Sequence, residues 1–143
     1  MVFFFGFAGL LTTVALHAIV GAVLINFLRK HAEKIARMPF AAQSVVVASV
    51  ACLLVFKHLV DIVMWACLLS WLDPRAFSDF EEALYFSSVT YTSLGYGDIV
   101  LDSRWRLLCG YEAIDGLVLF GVTTALLFVI FQRLWVDDAN ARS

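Results

Sequence analysis

Residues 92–98 read Thr-Ser-Leu-Gly-Tyr-Gly-Asp, and their chemistry lies in the backbone more than in the side chains. Gly95 and Gly97 stand at alternate positions. Glycine reaches positive φ without steric penalty, so such a run can turn successive carbonyls toward one side. A cation that has shed its water needs oxygens all around it. Carbonyls from several chains, aimed at one axis, supply them. Ser93 adds a hydroxyl oxygen at one end of the run. Leu94 offers an apolar anchor, and Tyr96, between the glycines, can brace the loop from outside. One loop furnishes only a quarter of each ring, so the chemistry calls for four copies around an axis.

The rest of the chain must hold this loop. Hydrophobic residues make up 62% of the 143 and charged residues 15%, against about half and a quarter in a soluble domain. That balance points to a membrane protein of one domain. The net charge of −2 suggests neither nucleic acid nor an anionic partner. Three apolar runs, 2–28, 42–72 and 107–134, each exceed the roughly 20 residues that cross a bilayer core. As helices of about 40 Å they require tilt or overhang. A fourth segment, 80–91, is too short to cross and suits a re-entrant helix. Ser78 with Glu81 fits a capping box at its start. Glu81 and Glu82 fall where a helix N-terminus favours negative charge. The glycine turn at 95–97 is expected to mark its end. Irregular backbone at membrane depth is admissible only where it lines water or lies in protein. The expectation is an all-α membrane fold: three spanning helices and a re-entrant pore helix with its loop, tetrameric around one pore.

The linkers suggest an orientation. Arg29, Lys30, Lys34 and Arg37 face one acid, Glu33, whereas residues 73–106 hold Arg75, Arg104 and Arg106 among more acids. The positive-inside rule then places the first linker in the cytoplasm, the N-terminus and loop mouth outside, and the C-terminus inside. The first run has no basic residue before it, outlasts an h-region and lacks an A-x-A end, so it is expected as a retained helix. Pro39 opens the second helix, where its missing N–H costs little. Cys52, Cys67 and Cys109 have no framework spacing and are expected as small core hydrophobes, not a disulfide set.

Residues 92–98 resemble the T-V-G-Y-G-D signature of potassium channels. The flanks agree: Ala83-Leu84-Tyr85-Phe86-Ser87 is similar to a pore helix, Trp105 stands where an aromatic starts the inner helix, and Gly116 and Gly121 match glycines of a bending inner helix. The resemblance covers about 80–133 and is closest to small bacterial channels with two helices around a pore loop. It implies K⁺ sites on the carbonyls of Ser93, Leu94, Gly95, Tyr96 and Gly97, with the Ser93 hydroxyl completing the innermost. It further implies filter support from Thr92 and Asp98, a cavity lined by Leu117, Phe120 and Thr124, and a hinge at Gly116 or Gly121. The permeant ion is K⁺, with no other cofactor. The partners are the lipid bilayer and three further copies of the chain, with no nucleic acid and no small-molecule substrate, in the plasma (inner) membrane. Three features depart from the pattern. Ser93 and Leu94 replace the usual threonine and valine. Val89 stands where some bacterial channels carry a glutamate that pairs with the filter aspartate, which leaves Tyr85 as a candidate partner for Asp98. An extra helix precedes the two-helix core. The division is thus 1–41 for the extra helix and basic linker, 42–136 for the pore domain and 137–143 for a short tail.

Ionisable groups within the apolar runs need an account, because such groups are costly in a membrane and usually functional. Lys57, His58 and Asp61 lie mid-way in the second run, and Glu112 and Asp115 in the third. Lys57 and Asp61, spaced i,i+4, can pair. A structural interhelix network is the plain reading, and a proton or cation sensor coupled to gating the sharper one. Asp115 could alternatively set a ring of charge near the cavity. His17 is expected as a hydrogen-bonded core histidine, a metal site with His58 and Glu112 being a remote alternative. Phe3, Phe4, Phe5 and Phe7 are expected at lipid or a neighbour, and Trp65, Trp71 and Trp135 in interfacial belts.

No helix carries arginine at every third position, so no voltage sensor of the usual sort is expected. Residues 134–143 are too few for a ligand-sensing domain. Gating then belongs to the filter, the hinge or the first helix, unless the pore is a constitutive leak. A weakly selective cation channel and a non-conducting regulatory module are the competing functions. An enzyme is not expected: no nucleophile–His–acid set, metal spacing or phosphate-cradling loop is present.

Overall fold

The computed structural model describes residues 1–101 and 104–132. Among them three long apolar helices form: α1 (Val2–Lys30), α3 (Phe40–Leu72) and α5 (Arg106–Phe131). All three are long and apolar enough to cross a membrane. Two short helices join them, α2 (Ala32–Ala36) in the basic linker and α4 (Phe80–Tyr91) between α3 and α5. The short helix in the linker is fastened by the Gln43 amide, which lies 3.2–3.4 Å from the carbonyls of Ile35, Ala36 and Met38. Pro39 is the N-cap of α3. Trp135 and the end of the third apolar run lie outside the described residues, as does the tail.

The start of α4 differs from the expected capping box by one residue. Asp79, not Ser78, is the N-cap, and its carboxylate accepts the Glu82 N–H at 2.9 Å. Glu82, not Glu81, reaches back, accepting the backbone N–H of Ser78. That bond, with the Ser78 hydroxyl, holds the Glu82 carboxyl below its usual range. An aspartate is as good a cap as serine, and both registers satisfy orphan N–H groups, so the spacing alone does not choose between them.

Three clusters tie the helices together. At one end Leu69, Phe86, Leu101, Trp105 and Leu108 pack with Val2 and Phe5. Midway, Ile62, Trp65 and Tyr91 meet Phe120 and Tyr111. At the other end Leu24, Val50, Leu54 and Ile130 close the bundle. The start of α1 therefore lies beside the end of α3 and the start of α5, so α1 runs parallel to α5 and antiparallel to α3. Gly6 makes this approach possible, since a Cβ there would meet the Tyr111 ring at 2.6 Å. Small residues let helix backbones come close where no hydrophobic effect drives association. The first helix thus packs on α5 and α3 of the same chain.

Several side chains fall elsewhere than expected. Phe3, Phe4 and Phe7 are exposed, but Phe5 turns inward, its ring centroid 5.8 Å from that of Trp71 and 6.3 Å from that of Trp105. Trp65 is buried in the bundle, not at its rim, because its indole N–H finds a carboxylate there. All three cysteines are free. Cys52 and Cys67 lie on the subunit surface, not in its core, and Cys109 is half-buried.

Candidate functional site

The loop after α4 begins as a helix cap. Thr92 is the C-cap, and Ser93 follows with φ of 58°. The Ser93 N–H donates to the Thr90 carbonyl at 2.9 Å and the Leu94 N–H to the Val89 carbonyl at 2.9 Å. These are the two bonds of a Schellman motif, in which a left-handed residue ends the helix. The helix therefore ends at Tyr91, as expected for the 80–91 segment, and the cap at Thr92–Ser93 closes it ahead of the glycine turn. Gly95 and Gly97 continue the pattern with φ of 53° and 77°, while Leu94 and Tyr96 between them do not have positive φ. Left-handed residues thus recur at 93, 95 and 97. Glycine makes two of them inexpensive, and serine accepts the third at the helix end, where the cap bonds hold it. Residues 92–98 are exposed on the subunit, including Leu94 at 56% and Tyr96 at 67%. Neither side chain braces the loop within the chain. A groove of about 420 Å³ lies beside the loop, lined by Tyr85, Val89, Gly95, Asp98, Cys109 and Ala113 among others.

At the far end of the loop the Tyr85 hydroxyl donates to the Asp98 carboxylate at 2.8 Å. The bond holds the Asp98 carboxyl below its usual range and raises the Tyr85 hydroxyl. Thr92 donates its hydroxyl to the Ser88 carbonyl at 2.7 Å, a second tie between the loop and α4.

Behind the loop lies a buried polar cluster. Lys57 pairs with Asp61 one turn along α3. The Tyr91 hydroxyl, at the end of α4, lies 3.2 Å from Asp61 and 3.0 Å from Nδ1 of His58. Nε2 of His58 lies 2.9 Å from the Thr123 hydroxyl of α5, which is 3.4 Å from Nε2 of His17 in α1. All four long or re-entrant segments of the fold meet in this one network. Among the described residues no three ligating side chains are grouped to hold a metal.

Asp115 and Glu112 are both fully enclosed in the subunit. Oδ2 of Asp115 accepts the Thr13 hydroxyl at 2.7 Å and the Trp65 indole N–H at 2.9 Å. The Asp115 carboxylate is thus enclosed between α1, α3 and α5, not presented on the surface of the chain as a ring of charge near a cavity would require. The two oxygens of Glu112 and the Ser87 hydroxyl are buried without hydrogen-bond partners.

On α5 the residues expected to line a cavity separate. Leu117 and Thr124 are exposed. Phe120 is half-buried, its ring 4.5 Å from that of His58 and 5.6 Å from that of Tyr91. Gly116 is closely packed, since a Cβ there would collide with the Tyr91 carbonyl. Gly121 has nothing within 4 Å of its Cβ position.

Residues 45–133 match the family described as Ion channel, well over half of the chain. The chain belongs to the ion-channel family. The match is to the type of pore domain that has two spanning helices and includes K⁺ channels. No curated protein and no solved structure matches the channel. The matched region takes in most of α3 and all of α4, the loop and α5, and leaves α1 and α2 of the channel outside it.

Sequence reasoning missed Tyr91, Thr13, Thr123 and the role of Trp65. A tyrosine directly before the loop, opposite a helix with three ionisable groups, was the one signal available for Tyr91. The threonines carried none, since which helices pair is a tertiary fact.

Proposed function

We propose that the channel conducts K⁺ selectively, with four copies around one axis and residues 93–97 as the ion filter. The observation that carries the reading is the recurrence of left-handed backbone at 93, 95 and 97 in an exposed loop. Alternating the hand of successive residues turns their carbonyls to a common side, which is what a dehydrated cation requires. Four observations support it. The loop follows a short helix too brief to span, so it opens part-way into the membrane. The negative end of that helix adjoins the loop and favours a cation there. Leu94 and Tyr96 are apolar and exposed on one subunit, and further copies would cover them. Asp98 is tied to Tyr85 at the mouth. In this reading the basic linker faces the cytoplasm of the plasma membrane, with the loop mouth outside. Passive conduction involves no bond making, so no catalytic group is assigned.

The test is flux from liposomes with K⁺ on one side and Na⁺ on the other, beside Gly95→Ala. Space is open around Gly95 within the subunit, so alanine acts through its φ, at about 1–2 kcal/mol per subunit. A reversal potential that follows K⁺, lost in the variant, is the expected result. Equal K⁺ and Na⁺ permeation would replace this reading with a weakly selective pore and direct attention to Ser93 and Leu94. A channel whose thermal stability is also indifferent to K⁺ over Na⁺, and which carries no flux, would be a regulatory module.

A further inference from the structure

The polar network behind the loop has a direction. Lys57 can only donate to Asp61, so Asp61 is an acceptor. Tyr91 has one proton and donates it to Asp61. Nδ1 of His58 must then carry a proton and donate to the Tyr91 oxygen. That leaves Nε2 of His58 as the acceptor for the Thr123 hydroxyl, whose oxygen accepts in turn from Nε2 of His17. With His58 neutral, one proton arrangement makes every bond of the chain, running from α1 across α5 and α3 to α4, and leaves only Nδ1 of His17 without a partner among its ring nitrogens. The tautomers follow from the donors at its ends. Bonds aligned head to tail strengthen one another in a low dielectric, so the chain behaves as a unit.

Its last aromatic is at a sensitive point. Tyr91 is the final residue of α4 and is completely buried. The carbonyls of its two predecessors, Val89 and Thr90, receive the N–H groups of Leu94 and Ser93. The Tyr91 carbonyl is itself pressed against Gly116 of α5. A shift of Tyr91 therefore moves the turn that sets the first two filter residues. Its hydroxyl is the only polar handle on the side chain, and the network grips that handle.

We propose that Tyr91 is a positioning residue of the filter, and that the chain His17–Thr123–His58–Tyr91 is the line through which helix α1 acts on it. This rests on the reading of residues 93–97 as the filter. The groups facing the chain are Lys57 and Asp61 from α3, with Asp115 and Glu112 of α5 acting on Tyr91 from farther off. The family's matched region does not include α1, so the line joins a helix outside that region to the family's pore.

The test separates a positioning role from a merely structural one. The reversal potential does not depend on how many channels survive, so a variant that only lowers the number of folded channels leaves it unchanged. Tyr91→Phe removes the handle and keeps the ring. It is expected to lower the K⁺-over-Na⁺ permeability ratio about tenfold, the equivalent of one buried hydrogen bond. His58→Leu is expected to do much the same, and Tyr91→Phe with His58→Leu no more than either alone, because coupled residues are not additive. Thr123→Val and His17→Leu should lower the ratio in that order, the His17 contact being the longest. Ser49→Ala, on the exposed side of α3, is the control. A second measurement covers a variant that does not conduct: thermal unfolding in K⁺ against Na⁺, since an ion bound to the folded state alone raises stability. Tyr91→Phe should narrow the K⁺-dependent shift. An unchanged ratio in Tyr91→Phe, or equal destabilisation in both salts, would overturn the proposal. A wild type that does not distinguish K⁺ from Na⁺ in either measurement would instead remove the filter reading, and with it this line.

Discussion

Two regions of this chain solve opposite problems with opposite means. The loop at 93–97 is exposed, makes its shape from backbone dihedrals, and keeps no side-chain anchor inside its own subunit except at its ends. The cluster behind it is enclosed, makes its shape from side chains, and draws on four helices. The loop is a local solution: two glycines and a helix cap suffice to bend it. The cluster is a tertiary solution, and each member depends on a partner far away in sequence. Change in the loop should therefore appear mainly in what the pore selects, and change in the Lys57–Asp61 pair mainly in whether the fold holds together, while the line from His17 to Tyr91 bears on both. Tyr91 and Gly116 lie where the two regions touch.

The largest effect is expected at the ion pair. Lys57 and Asp61 are both buried. Removing one partner leaves a buried charge uncompensated, at about 3–5 kcal/mol. Asp61→Asn and Lys57→Met should each lower the unfolding temperature sharply in detergent, whereas Lys57→Met combined with Asp61→Leu should recover much of the loss. A double variant as unstable as the singles would show that the pair also carries specific bonds that apolar packing cannot replace, with Tyr91 first among them.

Next comes the contact between the regions. Gly116→Ala inserts a methyl group against the Tyr91 carbonyl, and overpacking of this kind costs about 1–3 kcal/mol. Gly121→Ala, with open space around it, should stay within about 0.5 kcal/mol. The pair distinguishes a close-packing glycine from a hinge. A hinge at Gly116 would give normal stability with altered opening, and that result would break the contrast drawn here.

A smaller loss is expected at Asp115. Trp65→Phe removes one of its two donors, leaving a buried acceptor less well satisfied at about 1–3 kcal/mol. Asp115→Asn should change stability but neither rectification nor cation block, since the group is enclosed in the subunit. Altered block would return Asp115 to the conduction path.

These expectations show what was legible before the structure. The three spans, the short fourth helix and the Lys57–Asp61 spacing are readable because hydropathy and helical periodicity are local. The family of channels is readable for the same reason, since residues 92–98 carry their meaning in consecutive positions. What stayed hidden is pairwise. Nothing in α1 says that Thr13 will meet Asp115, or that Gly6 makes room for Tyr111. Trp65 reads as an interfacial residue until a carboxylate from another helix stands opposite it. Ser93 is a subtler case. Its left-handed backbone follows from capping bonds to Thr90 and Val89, and serine is not the residue type that announces such a position.

The smallest effect is expected at the mouth of the loop, and there pH decides what can be seen. Asp98 is held below the ordinary aspartate range by the Tyr85 hydroxyl, so in the folded state it gives up its proton more readily than in the unfolded chain. The tie is then fully present above the unfolded aspartate range and is lost only as pH falls through the lowered value. Tyr85 is shifted upward, so its hydroxyl remains a donor through and beyond the ordinary tyrosine range and loses its proton only at higher pH still. Between about pH 5 and 9 neither group titrates. The flux profiles of wild type and Tyr85→Phe should therefore run parallel across that interval, offset by a constant factor, and converge only in stronger acid. Both groups are exposed, so the offset should be modest and reduced by salt. Profiles that cross within the interval would mean that another titrating group acts on the loop. The His58 chain, which ends at the opposite end of the loop, is then where to look.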